Sequence, residues 1–147
     1  MALQNERKLF GIRDVIKTEG SRINYLKGLI RIAESDNNKT YVEEEYINKI
    51  AEIFGATYSD IWKAEVQKTN EASKEINFDT RQEKIVFMMQ ALYLCWLDDE
   101  YSDLERDEIA KIGDELGLEA SELMEIESWV KQGIEWMLAG AKLLRLE

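Results

Sequence analysis

Displaced by 62 positions, residues 25–65 fall on residues 87–127 without a gap, and eight of the 41 pairs are identical. The identities are Asp36/Asp98, Glu43/Glu105, Ile47/Ile109, Lys49/Lys111, Ile50/Ile112, Gly55/Gly117, Ser59/Ser121 and Glu65/Glu127. Other pairs keep their physical type, among them Ile30/Leu92, Ile32/Leu94, Ala33/Cys95, Thr40/Ser102, Val42/Leu104, Phe54/Leu116 and Ile61/Leu123. A repeated unit cannot bury its apolar face alone, so the two copies are expected to cover each other, and this constrains the architecture before any local propensity does.

The type of unit follows from what breaks the chain. There is no proline and there are only eight glycines in 147 residues, so little except capping chemistry can end a helix. Apolar residues recur at helical spacing throughout, and no segment sustains a two-residue alternation. The reading is one all-α domain over 1–147, with about seven helices near 5–18, 22–35, 42–54, 58–76, 80–97, 103–116 and 120–145. Two helix–loop–helix repeats, 25–65 and 87–127, make up most of it. Ser21, Thr40, Asp79 and Ser102 are the expected N-caps. Gly20, Gly55 and Gly117 stand where a helix end wants a left-handed residue.

Composition removes several function classes. Thirty acidic against nineteen basic residues give a net charge of −11, which opposes nucleic acid and anionic membrane surfaces and suits cations or basic partners. No histidine is present, so imidazole serves neither as base nor as ligand. The lone Cys95 forms no intrachain disulfide and fits a reducing compartment. The N-terminus has no apolar stretch of signal-peptide length and nothing approaches a membrane span, so a soluble, cytoplasmic protein is expected. There is no nucleophile elbow, no phosphate-cradling glycine loop and no Ser-His or Cys-His pair. Carboxylate pairs are too common in so acidic a chain to argue acid–base catalysis, and the protein reads as a non-enzyme.

The repeated loops run over 36–43 and 98–105, each with Asp first, Asn or Glu third, Thr or Ser fifth and Glu eighth. Thr40/Glu43 and Ser102/Glu105 read as capping boxes, in which hydroxyl and carboxylate satisfy orphan amides reciprocally. Asp36 and Asp98 are not needed for that. Each stands at a helix C-terminus, where a carboxylate is mildly unfavourable, and each faces a second carboxylate seven residues on. An Asx-turn is one use for them. A hard divalent cation, Ca²⁺ or Mg²⁺ held weakly by oxygen ligands, is the other.

The better cation set is Asp98, Glu100, Ser102 and Glu105; the weaker is Asp36, Asn38, Thr40 and Glu43, with Lys39 beside it. The loops are not EF-hands, because the sixth position is Tyr41 or Asp103 instead of Gly and the twelfth is Ile47 or Ile109 instead of Glu. Zinc lacks His and clustered Cys.

These residues resemble the tellurite-resistance TerB-like family, whose motif runs from a small residue through Asp-Gly-x-[Ile/Val]-[Ser/Thr]-x-x-Glu to a helix ending near Gly. The matching positions are Ala33/Cys95, Asp36/Asp98, Thr40/Ser102, Glu43/Glu105 and Gly55/Gly117, in two copies spanning most of residues 25–127. The family's Gly is replaced by Asn37 or Asp99, and its aliphatic position by Lys39 or Tyr101. The resemblance implies an all-helical domain, divalent-cation binding by loop acids and a link to stress or tellurite resistance.

The last helix offers a different function. One apolar stripe joins Leu123, Ile126, Val130, Ile134, Met137, Ala141 and Leu144; a second joins Trp129, Trp136 and Leu143 at spacing seven. A helix so widely apolar is ordinarily buried by its own domain. The alternative is an interface through Trp129, Trp136 and Leu143, with a homodimer or another protein as partner, since Trp and Met are enriched at such surfaces. Trp62 and Trp96 read as core or loop-packing residues.

Overall fold

The computed structural model describes residues 12–33, 35, 41–55, 76–96 and 101–146, without the side chains of Arg13 and of residues 41–44. Among them every regular element is helical. In chain order these are α1 (Ile12–Val15), α2 (Glu19–Ala33), α3 (Tyr41–Phe54), α4 (Arg81–Trp96), α5 (Asp103–Glu115) and α6 (Ala120–Leu143). Five are true helices and α1 is a single turn.

The described part of the helix expected over 5–18 is therefore helical only to Val15. The one expected over 58–76 lies outside the described residues except for Ile76, which belongs to no helix and sits in the core.

Three capping expectations are corrected by side-chain chemistry. Thr18, and not Ser21, caps α2: its Oγ1 accepts from the Ser21 amide at 3.1 Å, and Ser21 is buried one turn inside. Gly20 consequently lies within α2 and ends nothing. Thr80, and not Asp79, caps α4. Its Oγ1 accepts from the Glu83 amide at 3.1 Å, while Glu83 Oε1 accepts from the amides of Asp79 and Thr80 at 3.1 and 3.0 Å. The box forms at Thr80 because only there does a carboxylate follow three residues on. Ser102 caps α5 as expected, and Gly55 and Gly117 do adopt positive φ, 129° and 74°.

Helix α4 is the centre. It is apolar over most of its circumference, and α1, α2, α5 and α6 all pack against it. Its Phe87 presents its ring edge-to-face to Tyr25 of α2, with centroids 5.6 Å apart, and Tyr25 makes the same contact with Phe54 of α3 at 5.4 Å. A Cβ on Gly28 would lie 2.4 Å from two carbons of the Phe87 ring, so glycine permits this close approach of α2 to α4. Around the aromatic trio lie Ile16, Leu26, Leu29, Ile32, Met88, Leu92, Leu94 and Ile112, all nearly inaccessible. Such burial is the main driving force of the fold.

One charged clamp ties α2 to α5. Arg31 reaches both Glu115 oxygens, Nη1 at 2.8 Å and Nη2 at 2.9 Å, and its Nε donates to Glu108. The bidentate hydrogen bonds from Arg31 hold the Glu115 carboxyl below the ordinary glutamate range. No helix among the described residues is long and apolar enough to cross a membrane.

Candidate functional site

Two sequence features nominated a site, and the structure treats them differently. Of the loop residues, Asp36, Asn38, Thr40, Asp98 and Glu100 lie outside the described residues, as does the side chain of Glu43. Ser102 and Glu105 are described, and they form the reciprocal capping box of α5. Ser102 Oγ accepts from the Glu105 amide at 3.1 Å, and Glu105 Oε1 accepts from the Ser102 amide at 3.2 Å. Glu105 is buried by this arrangement. Beside it, Tyr101 stacks under the Arg106 guanidinium at 4.2 Å, and burial pushes its hydroxyl above the ordinary tyrosine range. Among the described residues no group of three acidic or thiol side chains is gathered as a metal site.

The C-terminal helix is where the structure departs from the usual fate of an apolar helix. Gly117, in the left-handed region, turns the chain out of α5, with the Leu118 amide donating to the Gly113 carbonyl at 2.9 Å. That turn, with the Glu119 amide bonded to Glu122 at 3.1 Å, starts α6 along α4. Only Ile126 and Val130 of α6 are buried, with Leu123 and Ile134 packed partly against the core. The stripe that was expected to seal the helix therefore stops halfway. A 24-residue helix is roughly 36 Å long, and no residue of its C-terminal half is buried.

What that half exposes is apolar. Trp129 is 54% exposed, Trp136 78% and Leu143 85%, and Met137 and Leu144 are exposed with them. Spacing seven places the three nominated residues on one line, so the structure brings Trp129, Trp136 and Leu143 together as a single stripe. The exposed end is nevertheless finished. Arg145 takes φ 59°, and the amides of Arg145 and Leu146 donate to the Lys142 and Ala141 carbonyls at 3.0 and 2.9 Å. That bonding pattern satisfies the orphan carbonyls of the last turn.

Between α4 and α6 the stripe borders a groove of about 300 Å³ lined by Met89, Gln90, Tyr93, Val130, Gly133 and Trp136. That volume is the low end of the range for small-ligand sites, and its walls are almost wholly apolar. Two glycines, Gly133 and Gly140, interleave with the stripe, and a Cβ added at either would meet nothing within 4 Å. These glycines escape a reading based on apolar periodicity, because they carry no apolar side chain. The signal that finds them is the alternating four- and three-residue spacing of Trp129, Gly133, Trp136, Gly140 and Leu143.

Chemically the face offers aromatic and aliphatic surface, a shallow hole and few polar groups; the Gln90 side-chain oxygen in the groove accepts from the Tyr46 hydroxyl. Such a face can bind apolar side chains. No protein-family model, no curated protein and no solved structure matches the chain.

Proposed function

We propose that this chain is a non-enzymatic helical interaction module that binds protein through the α4–α6 face, with Trp129, Trp136 and Leu143 as its anchors. The observation that carries this is the exposure of Trp136 at 78% on a well-capped helix, next to an apolar groove. The two tryptophans alone present on the order of 250 Å² of aromatic surface. With Met137, Leu143 and Leu144 the patch reaches the few hundred Å² at which a soluble protein's exposed apolar surface marks an interaction site. Aromatic anchors beside a hole are the usual hot-spot arrangement. The repeated helix–loop–helix units supply the rigid body on which α6 is mounted.

The test is site-specific photo-crosslinking of the full chain in its host cell, with the photoreactive residue at position 136, 143 or 142. Lys142 is exposed but lies off the stripe, so discrete adducts are expected from 136 and 143 and none from 142. Equal labelling from all three positions, or none from any, overturns the reading.

A further inference from the structure

The face carries its own complement. Large residues at 129 and 136 alternate with absent side chains at 133 and 140, and both spacings are seven residues, about 10.5 Å along the axis. We infer that the partner is a second copy of this chain, with the two α6 helices antiparallel so that Trp136 of each sits over Gly133 of the other and Trp129 over Gly140. This deepens the interaction-module reading and rests on it. One antiparallel register satisfies both contacts and, by the twofold axis, their symmetric counterparts, as a closed isologous dimer requires.

Two observations favour this partner and this direction. In a parallel pair, tryptophan would meet tryptophan and glycine would meet glycine, giving layers alternately overfilled and empty. The antiparallel pair gives every layer one tryptophan and one glycine, close to uniform packing. Finally, the half of α6 that has no buried residue is the half that would lie along the partner's groove, where Met89 and Tyr93 complete the site.

The area is adequate for a reversible dimer. Taking a tryptophan at about 200 Å², the exposed stripe with Met137, Leu143 and Leu144 contributes on the order of 500 Å² per copy, about 1,000 Å² in all. That is the threshold of a specific interface, so a dissociation constant in the micromolar range is expected, against a repulsion between two chains of net charge −11 that salt will relieve.

The experiment is sedimentation equilibrium of the full chain from about 1 to 500 µM at physiological salt, with the variants Trp136→Ala and Gly133→Leu. Hydroxyl-radical footprinting at Trp129 and Trp136 accompanies it. Trp136→Ala should raise the dissociation constant by about 30-fold or more, as loss of a hot spot does. Gly133→Leu has the greater power to discriminate. Its Cβ meets nothing within 4 Å and the rest of the side chain adds apolar surface to the face, so a nonspecific hydrophobic association would tighten, whereas a dimer that seats Trp136 over Gly133 weakens at least tenfold.

A dimer unchanged or tightened by Gly133→Leu overturns the proposed packing. A monomer throughout, with both tryptophans reactive, overturns self-association and leaves the face open for a different protein. A monomer with both tryptophans protected means that the chain covers its own face, and then the interaction-module reading falls as well.

Discussion

Tyr25→Phe removes a single oxygen from the centre of the core, and the structure predicts that the protein becomes more stable for it. Tyr25 is 0% exposed and its hydroxyl has no hydrogen-bond partner among the described residues. The ring is held by edge-to-face contacts with Phe54 and Phe87, which phenylalanine keeps. An unsatisfied buried hydroxyl costs about 1–3 kcal/mol of desolvation. Against this stands the void left by the oxygen, about 15 Å³, or ~0.4 kcal/mol at 24 cal/mol per Å³. The net is a gain of about 1–2 kcal/mol. For a domain of this size it appears as a rise of about 3–6 °C in Tm, or about 0.5–1 M in the urea midpoint at unchanged m.

The gain should widen at high pH. Burial holds the Tyr25 hydroxyl well above the ordinary tyrosine range, so the folded state keeps a proton that the unfolded chain releases above about pH 10. The native protein thus loses up to ~1.4 kcal/mol per pH unit there through this group, and the phenylalanine variant does not. At pH 7 Tyr46→Phe is the control with opposite sign, because the Tyr46 hydroxyl donates to Gln90 and its loss should cost about 0.5–1.5 kcal/mol, a cost that shrinks at high pH because burial raises this hydroxyl too. Thermal and urea denaturation of the two variants at pH 7 and near pH 10.5 decide the matter. Destabilisation by Tyr25→Phe would show that the hydroxyl is bonded in solution, by water or by residues outside those described, and that the core is not dry around it.

Two further outcomes concern the loop and the clamp. Ser102→Ala should cost about 1 kcal/mol through loss of the α5 cap. Measured in chelator and again with Ca²⁺ or Mg²⁺, the same loss in both means that the Ser102–Glu105 pair is a cap alone, whereas a loss enlarged by the ion assigns the loop to a cation. Hydrogen bonds from Arg31 depress the Glu115 carboxyl, so its contribution is fully present above the unfolded glutamate value, about 4.3, and is lost as pH falls through the lower folded value. Glu115→Gln should therefore flatten the acid limb of the stability–pH curve; an unchanged limb would mean that the clamp is too well solvated to matter.

How much of this was legible in the sequence depends on whether the deciding physics is local. The all-helical class followed from the absence of proline and the helical spacing of apolar residues, and the Ser102–Glu105 box from four consecutive positions. Capping at 79 and 80 was misplaced although the information was local: Asp79 and Thr80 both cap well, and the carboxylate at 83 favours Thr80. The start of α2 was misplaced because a glycine can stop a helix or sit within one, and the competing cap, Thr18, lay just upstream of Gly20. Tyr25 as an orphaned hydroxyl was not legible, since nothing in a sequence says what surrounds a side chain. The coverage of α6 was not legible either. The same apolar pattern describes a helix sealed by its domain and one half sealed, and only the position of α4 shows where cover ends.

Gly133 and Gly140 are the residues that a single chain explains least. Each is less favourable than alanine in an exposed helix by about 0.8–1 kcal/mol, so the pair costs on the order of 2 kcal/mol in a segment with little tertiary support. Glycine is justified inside a helix when something approaches too closely for a Cβ, as Phe87 does at Gly28. At 133 and 140 no atom of the described residues lies within 4 Å of such a Cβ, and alanine would fit both. The two positions nonetheless keep the period and face of Trp129 and Trp136, which are themselves unfavourable in water. Two kinds of residue that weaken the isolated helix, at opposite extremes of size and in one register, have a common reason only if a second helix lies against them, close enough at the glycines to be filled by an indole.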